Sequence, residues 1–332
     1  MENRKKDHID LAIESQIGVH DLDRRFMYEP VLSAHPTNAI PETAFLGKTL
    51  RLPLWVSSMT GGTKMAGTIN RNLARACNEF GMGMGLGSCR IILDDDTYLP
   101  DFDMRDIIGP DLPLYANLGI NQAELLTLNK QTDKIRRLTD KLRADGLIIH
   151  INPLQEWFQP EGDRLQRPAL ETIEELLTVT DLPLVVKEVG QGMGAESLAE
   201  LMKLPLGAIE FGAFGGTNFA KVELMRDKEQ PRELFSPLSY IGHDAGQMVQ
   251  MINQIAEQSS EEIRCRQLIV SGGIKSFLDG YYLIHQSSIP AIYGQASTFL
   301  RYAREDYEQL RNFVLHQIKG LQIAYAFLRI RQ

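Results

Sequence analysis

Two short segments concentrate the side chains of this chain that are equipped for chemistry. The first is HINPLQE, residues 150–156, which puts His150, Asn152, Gln155 and Glu156 close together. On a strand, His150 and Asn152 share a face by period two, and Pro153 then ends the strand so that Gln155 and Glu156 follow on the next loop. Four polar groups thus converge on one spot. A single carboxylate among amides suits Mg²⁺ held mostly by water and a substrate phosphate; an Asn-Pro turn carrying a solvated Gln-Glu pair is the plainer alternative. The second segment is split: SGGIK at 271–275 and GQAS at 294–297 each lie directly before a helical pattern. Unpaired amides and the helix dipole at such places favour a phosphate, whereas ordinary strand-to-helix turns also use glycine.

Three further stretches raise chemical questions. Lys187 interrupts the apolar run LVVKEVG, where an unpaired ammonium is costly. Adjacent strand positions face opposite ways, so Lys187 and Glu188 cannot both point inward. Near the start, RKKDHI packs Arg4, Lys5, Lys6 and His8 together, a pattern that is a solvated tail unless the ligand is polyanionic. GMGMGLGS at 81–88 has glycines at strict period two and fails the dinucleotide fingerprint, which needs glycines at i, i+2 and i+5. It reads as a strand. With Ser88 facing a ligand, parity turns Met82, Met84 and Leu86 into the core and the glycines outward, where covering helices can approach.

Elements able to position these groups follow from the apolar runs. Buried strands are expected at 53–59, 81–88, 113–119, 145–153, 183–190, 207–216, 267–273 and 291–295, with segments of helical period such as NRNLARACNEF and ALETIEELLTV between them. Eight such units predict a parallel (β/α)₈ barrel, whose function lies at the carboxyl ends of its strands and whose phosphate site lies after the last two. All the polar residues above fall at those ends. The chain is expected to be one domain over 1–332, with an N-terminal extension over 1–50 and a long C-terminal helical segment at EDYEQLRNFVLHQIKGLQIAYAFLRI that closes the barrel or makes an oligomer contact.

Composition sets outer bounds. A net charge of −8 opposes nucleic-acid or anionic-lipid partners. Cys77, Cys89 and Cys265 form no CxxC pair, so no cysteine metal site is expected. No signal-peptide core and no apolar run near the ~18 residues of a membrane span is found, which predicts a cytoplasmic protein.

Taken in order, RKKDHI, MTGG, GLGSCR, HINPLQE followed by QPEGD, VVKEVGQG, GGTNFAKVE and SGGIK resemble the type 2, FMN-dependent isopentenyl diphosphate isomerases over nearly the whole chain. That family is a (β/α)₈ barrel that interconverts isopentenyl and dimethylallyl diphosphate with Mg²⁺ and with FMN kept reduced by NADPH. The resemblance implies that Ser58, Met59, Thr60, Ser88, Asn117, Lys187 and Thr217 line the flavin, and that Gly272, Gly273, Lys275, Gly294 and Ala296 hold its phosphate. It implies that Arg4, Lys5, His8, Ser88, Arg90, His150, Asn152 and Gln155 meet the substrate, that Glu156 holds Mg²⁺, and that Gln155, Lys187, Glu223 and His150 carry the catalysis. It further suggests a homo-oligomer, a tetramer or octamer. Cys89, Asn218 and Phe219, and GHDAGQ at 242–247, depart from the family pattern. An FMN oxidoreductase of the 2-hydroxy-acid oxidase type on the same barrel, or a catalytically idle flavin-binding protein, are the alternatives.

Overall fold

The structure is a computed structural model that describes residues 2–37, 40–58, 60–226 and 232–331. Its centre is a closed barrel of eight parallel strands. These barrel strands are β1 (Leu54–Val56), β2 (Gly83–Gly85), β3 (Leu114–Gly119), β4 (Gly146–Ile151), β5 (Leu184–Glu188), β6 (Ala208–Glu210), β7 (Leu268–Ser271) and β8 (Ala291–Gln295). Each pairs with its sequence neighbours, and β8 closes onto β1 through Tyr293↔Leu54 and Gly294↔Trp55. Every strand falls inside an expected apolar run, and the polar residues that end each run lie at the mouth.

The parity expected for GMGMGLGS is reversed. A Cβ on Gly83 would stand 2.4 Å from the Trp55 ring, and one on Gly85 would stand 2.5 Å from Ile148 and 2.8 Å from the Ser58 hydroxyl. Both glycines therefore face the interior, and Met82 and Met84, buried themselves, face the helical layer. The reason is volume. Trp55 is fully buried and meets Tyr115 edge to face at 6.0 Å, so large rings from β1 and β3 fill the barrel and the strand between them has room only for hydrogen. Ser88 lies past the end of β2 and is exposed, so its direction never constrained the strand.

Two features escape the apolar pattern. A hairpin of Thr43–Phe45 and Lys48–Leu50 closes the amino end of the barrel. Its Phe45 packs on Trp55 at 6.5 Å, while Lys48 donates to the Pro110 and Leu112 carbonyls just before β3 and pairs with Asp145 just before β4. The final helix, Tyr307–Phe327, is followed by Leu328–Ile330, which pairs antiparallel with Phe26–Tyr28 and ties the two ends of the chain together. Among the described residues, no helix is long and apolar enough to cross a membrane.

Candidate active site

One side of the mouth is built from backbone. The segments after β6, β7 and β8 are rich in glycine and enclose a cavity of about 400 Å³, whose wall includes Ser57, Ser58, Lys187, Glu210, Thr217, Gly272, Gly273, Lys275, Gly294 and Ala296. Gly272 has φ +91°, and a Cβ there would lie 2.1 Å from the Ala213 carbonyl oxygen, so only glycine lets the loops after β6 and β7 nest. The helix after β7, Phe277–Gln286, is capped by its own side chains: the Asp279 carboxylate accepts from the Lys275 and Ser276 N–H groups just before the helix and pairs with Arg25 at 2.8 Å. The first turn after β8 also lines this cavity, through Ala296, Ser297, Thr298 and Arg301.

The opposite side is built from side chains. Pro153 occupies the first position of a short helix, Pro153–Phe158, which a proline suits because its missing N–H is not needed there. Gln155 and Glu156 accordingly sit in a helical turn rather than on a loop. The Asn152 amide donates to Gln155 Oε1 (3.2 Å) and to Glu156 Oε1 (3.0 Å), and Gln155 donates in turn to Glu223 Oε1 (3.4 Å). Glu223 is buried and is also paired with Arg226, which reaches Glu161 at 2.9 Å. Glu156 Oε2 accepts the N–H of Asp163, whose carboxylate holds Arg90 at 2.9 Å. Arg90, Asn152, Gln155, Glu156 and Glu223 thus belong to one network, and Asn152 keeps a buried Oδ1 with no partner among the described residues. Asn152 and Gln155 border a second cavity of about 310 Å³ that shares Val189 and Phe219 with the first.

Between the two halves lie His150 and Lys187. The Asn117 amide donates to the Leu86 carbonyl, which leaves Asn117 Oδ1 to accept from His150 Nδ1 at 2.7 Å. His150 therefore carries its proton on Nδ1 and offers Nε2 as an acceptor. Burial, and after it the Lys187 charge, push the imidazole down to about 3, so it is neutral at pH 7. Lys187 points into the barrel and donates to the Glu188 carbonyl at 2.9 Å. Glu188 faces away, where its carboxylate accepts three N–H groups, from Gly190, Gln191 and Gly192, and fixes the loop after β5.

Comparison with known proteins decides the family. No protein-family model matches the chain. The isopentenyl-diphosphate delta-isomerase of Rickettsia felis is 34% identical over 96% of this chain and 90% of its own length, and that of a Synechococcus strain is 34% identical with the same coverage. The chain belongs to the isopentenyl-diphosphate delta-isomerase family, type 2. It is an enzyme of that isomerase family. Solved structures similar in fold include a flavocytochrome b2 variant (TM-score 0.62, 16% identity, 91% of this chain and 72% of the other) and a mandelate oxidase variant (TM-score 0.55, 16% identity, 92% and 88%).

Several residues singled out from the isomerase motifs stand apart from this constellation. Arg4, Lys5 and His8 lie on the helix Glu2–Leu11, all exposed, and their side chains make no hydrogen bond or ion pair among the described residues. Met59 lies outside the described residues. Thr60 contributes through its backbone, against which Gly87 packs; a Cβ on Gly87 would meet the Thr60 carbonyl at 2.3 Å. Sequence reasoning missed Arg301 and Glu210. Arg301 gave no signal in a surface helix, whereas Glu210, a lone acid in GAIEFGAFGG, carried the same signal as Lys187. Among the described residues, no group of three or more His, Cys, Asp or Glu is placed to hold a metal.

Proposed function

We propose that this enzyme interconverts isopentenyl and dimethylallyl diphosphate by a 1,3-allylic proton shift, with reduced FMN in the glycine-lined cavity and Mg²⁺ on Glu156. The observation that carries the reading is adjacency: the Asn152–Gln155–Glu223 relay borders a cavity that shares a wall with the glycine cradle. The cradle suits a flavin phosphate because its wall is glycine backbone at Gly215, Gly216, Gly272, Gly273 and Gly294, and the buried Ser58 hydroxyl on that wall has no partner among the described residues. Glu156 suits Mg²⁺ as a single carboxylate ligand, since each of its oxygens accepts one N–H and keeps a lone pair.

When bound, reduced FMN would supply the negative charge and the proton-carrying nitrogen that a carbocation-like transition state requires. Lys187, held by the Glu188 carbonyl, steadies that charge. Gln155 has no useful pKa and is clamped between Asn152 and Glu223, so its part is to orient the alkene and to present the Glu223 charge across one hydrogen bond. His150, neutral and bonded to Asn117, offers an acceptor for a bound hydroxyl or water. Arg90, with Arg4, Lys5 and His8 drawn in from the N-terminal helix, binds the diphosphate, whose distance from the reacting carbons makes it a handle for orientation.

The decisive assay uses purified protein with FMN, NADPH, Mg²⁺ and isopentenyl diphosphate. Dimethylallyl product formed without net NADPH consumption is expected; stoichiometric NADPH consumption, or soluble protein that takes up no FMN, overturns the reading. The oxidase alternative needs a histidine base beside an arginine for a carboxylate. Here His150 is bonded to Asn117, and Arg90 to Asp163.

A further inference from the structure

Beneath the glycine-lined cavity the barrel encloses a carboxylate that the isomerisation does not use. Glu210 ends β6 on its interior face, is 0% exposed, and among the described residues neither of its oxygens meets a donor in hydrogen-bonding geometry. Such a group in a protein interior needs a physical reason, because an unpaired buried carboxylate is among the costliest things a fold can contain. Its surroundings supply one. Glu210 is the register partner of Lys187 across β5 and β6, and both side chains line the same cavity wall. Trp55 from β1, Ser57 just after it and Ser271 from β7 also stand near it. The Trp55 N–H and the Ser57 hydroxyl are likewise buried without partners among the described residues, so two donors with no other partner stand near this one acid.

We infer that Glu210 is a positioning residue for the cofactor's charge: it is ionised opposite Lys187 while the bound flavin is oxidised, and it takes up a proton when the flavin becomes the reduced anion. The inference rests on the function proposed above. The charges around the flavin then sum to zero in both states. With neutral oxidised flavin, Lys187⁺ is balanced by Glu210⁻; with the reduced anion, Lys187⁺ is balanced by the flavin and Glu210 is a neutral acid. The balance closes without a further reactant. A reduced nicotinamide delivers two electrons and one proton as hydride to flavin N5, and one proton from solvent forms the O–H bond on Glu210.

The neighbouring groups are consistent with a carboxyl poised between its two forms. Burial raises its pKa and Lys187 is the first influence that lowers it, followed by Ser57, Ser271 and Trp55. His150 on β4 stands next to Lys187 and stays neutral, and the Tyr115 phenol on β3 is held protonated by burial. Lys187 is therefore the charged group that acts on Glu210. The Ser57 and Ser58 hydroxyls, on the cavity wall and unpartnered among the described residues, offer a route for the proton from the mouth.

The test is the pH dependence of the midpoint potential of bound FMN, with the absorption spectrum of the reduced flavin recorded alongside to distinguish its anionic from its neutral form. The wild type is expected to take up two protons per two electrons while showing the anionic spectrum. Glu210→Gln should halve the slope of potential against pH with the same spectrum, and Glu210→Asp should restore it. A wild-type slope of one proton, a neutral reduced-flavin spectrum, or an unchanged slope in Glu210→Gln overturns the inference. If the glutamine variant fails to take up FMN, infrared difference spectra of the wild type and Glu210→Asp decide. A protonated-carboxyl band should appear on reduction and shift in the aspartate variant, and its absence refutes the inference. Wild-type protein that binds no FMN sinks the functional reading and this one with it, whereas bound FMN with a one-proton slope sinks this one alone.

Discussion

The two sides of the barrel mouth solve recognition by opposite means. After β6, β7 and β8, the chain removes side chains and presents backbone: loops nest against each other at Gly272, and the polar work falls to amides and to the first turn after β8. After β4, it does the reverse, locking Asn152, Gln155 and Glu156 together through side-chain hydrogen bonds and tying them to Glu223, which the helix Phe219–Arg226 after β6 brings across. A backbone cradle is rigid and indifferent to sequence beyond its glycines, which suits a resident group. A side-chain network holds single atoms at defined places, which suits chemistry. Damage to the two halves should therefore separate binding of the resident group from turnover.

The sharpest way to break that division is Gly272→Ala. A Cβ there would sit 2.1 Å from the Ala213 carbonyl, at a backbone φ of +91°, so the loops after β6 and β7 must part. Strain of this kind costs on the order of 1–3 kcal/mol before any loop movement. FMN uptake, followed by flavin absorbance after desalting, should be lost, and the thermal midpoint should fall. Gln155→Ala is the counterpart on the other side. It should leave FMN uptake unchanged while kcat falls ~10²-fold at saturating substrate, the scale of a misplaced reacting group. If Gly272→Ala kept its flavin, or Gln155→Ala lost it, the assignment of roles to the two halves would be wrong.

The ease of reading these halves from sequence also differed. The eight strands were legible because parallel strands covered on both faces must be apolar throughout, and the mouth was legible because polar residues then mark strand ends. Which residues on β2 face inward was not, since period two defines two faces without saying which is which; the decision came from Trp55, whose ring claims the space beside Gly83 and Gly85. The hairpin at 43–50 and the pairing of Phe26–Tyr28 with Leu328–Ile330 are short and join segments far apart in the chain, so no local pattern announced them. In the site, HINPLQE could be read because its four polar groups fall within seven residues. Glu210 was passed over although it stands in an apolar run as Lys187 does, and only the register across β5 and β6 shows that the two belong together.

The smallest expected effect tests whether the side-chain half is preorganised electrostatically as well as sterically. His150 is held neutral, with its imidazole at about 3 against an ordinary 6.5, first by burial and then by Lys187. The unfolded chain binds a proton at this histidine as pH falls through 6.5, and the folded chain does not until about 3. The stabilisation is therefore complete above 6.5 and is lost progressively as pH drops below it. Between pH 6.5 and 5.5 this one site should cost the wild type ~1 kcal/mol of unfolding free energy. In urea denaturation at the two pH values, His150→Gln should lose that much less than the wild type. His285, also lowered by burial, acts in the same direction in both proteins and cancels in the comparison. Equal losses would mean that His150 is charged in the fold, and Nε2 would then be a donor facing the substrate, the opposite of what the Asn117 and Leu86 hydrogen bonds arrange.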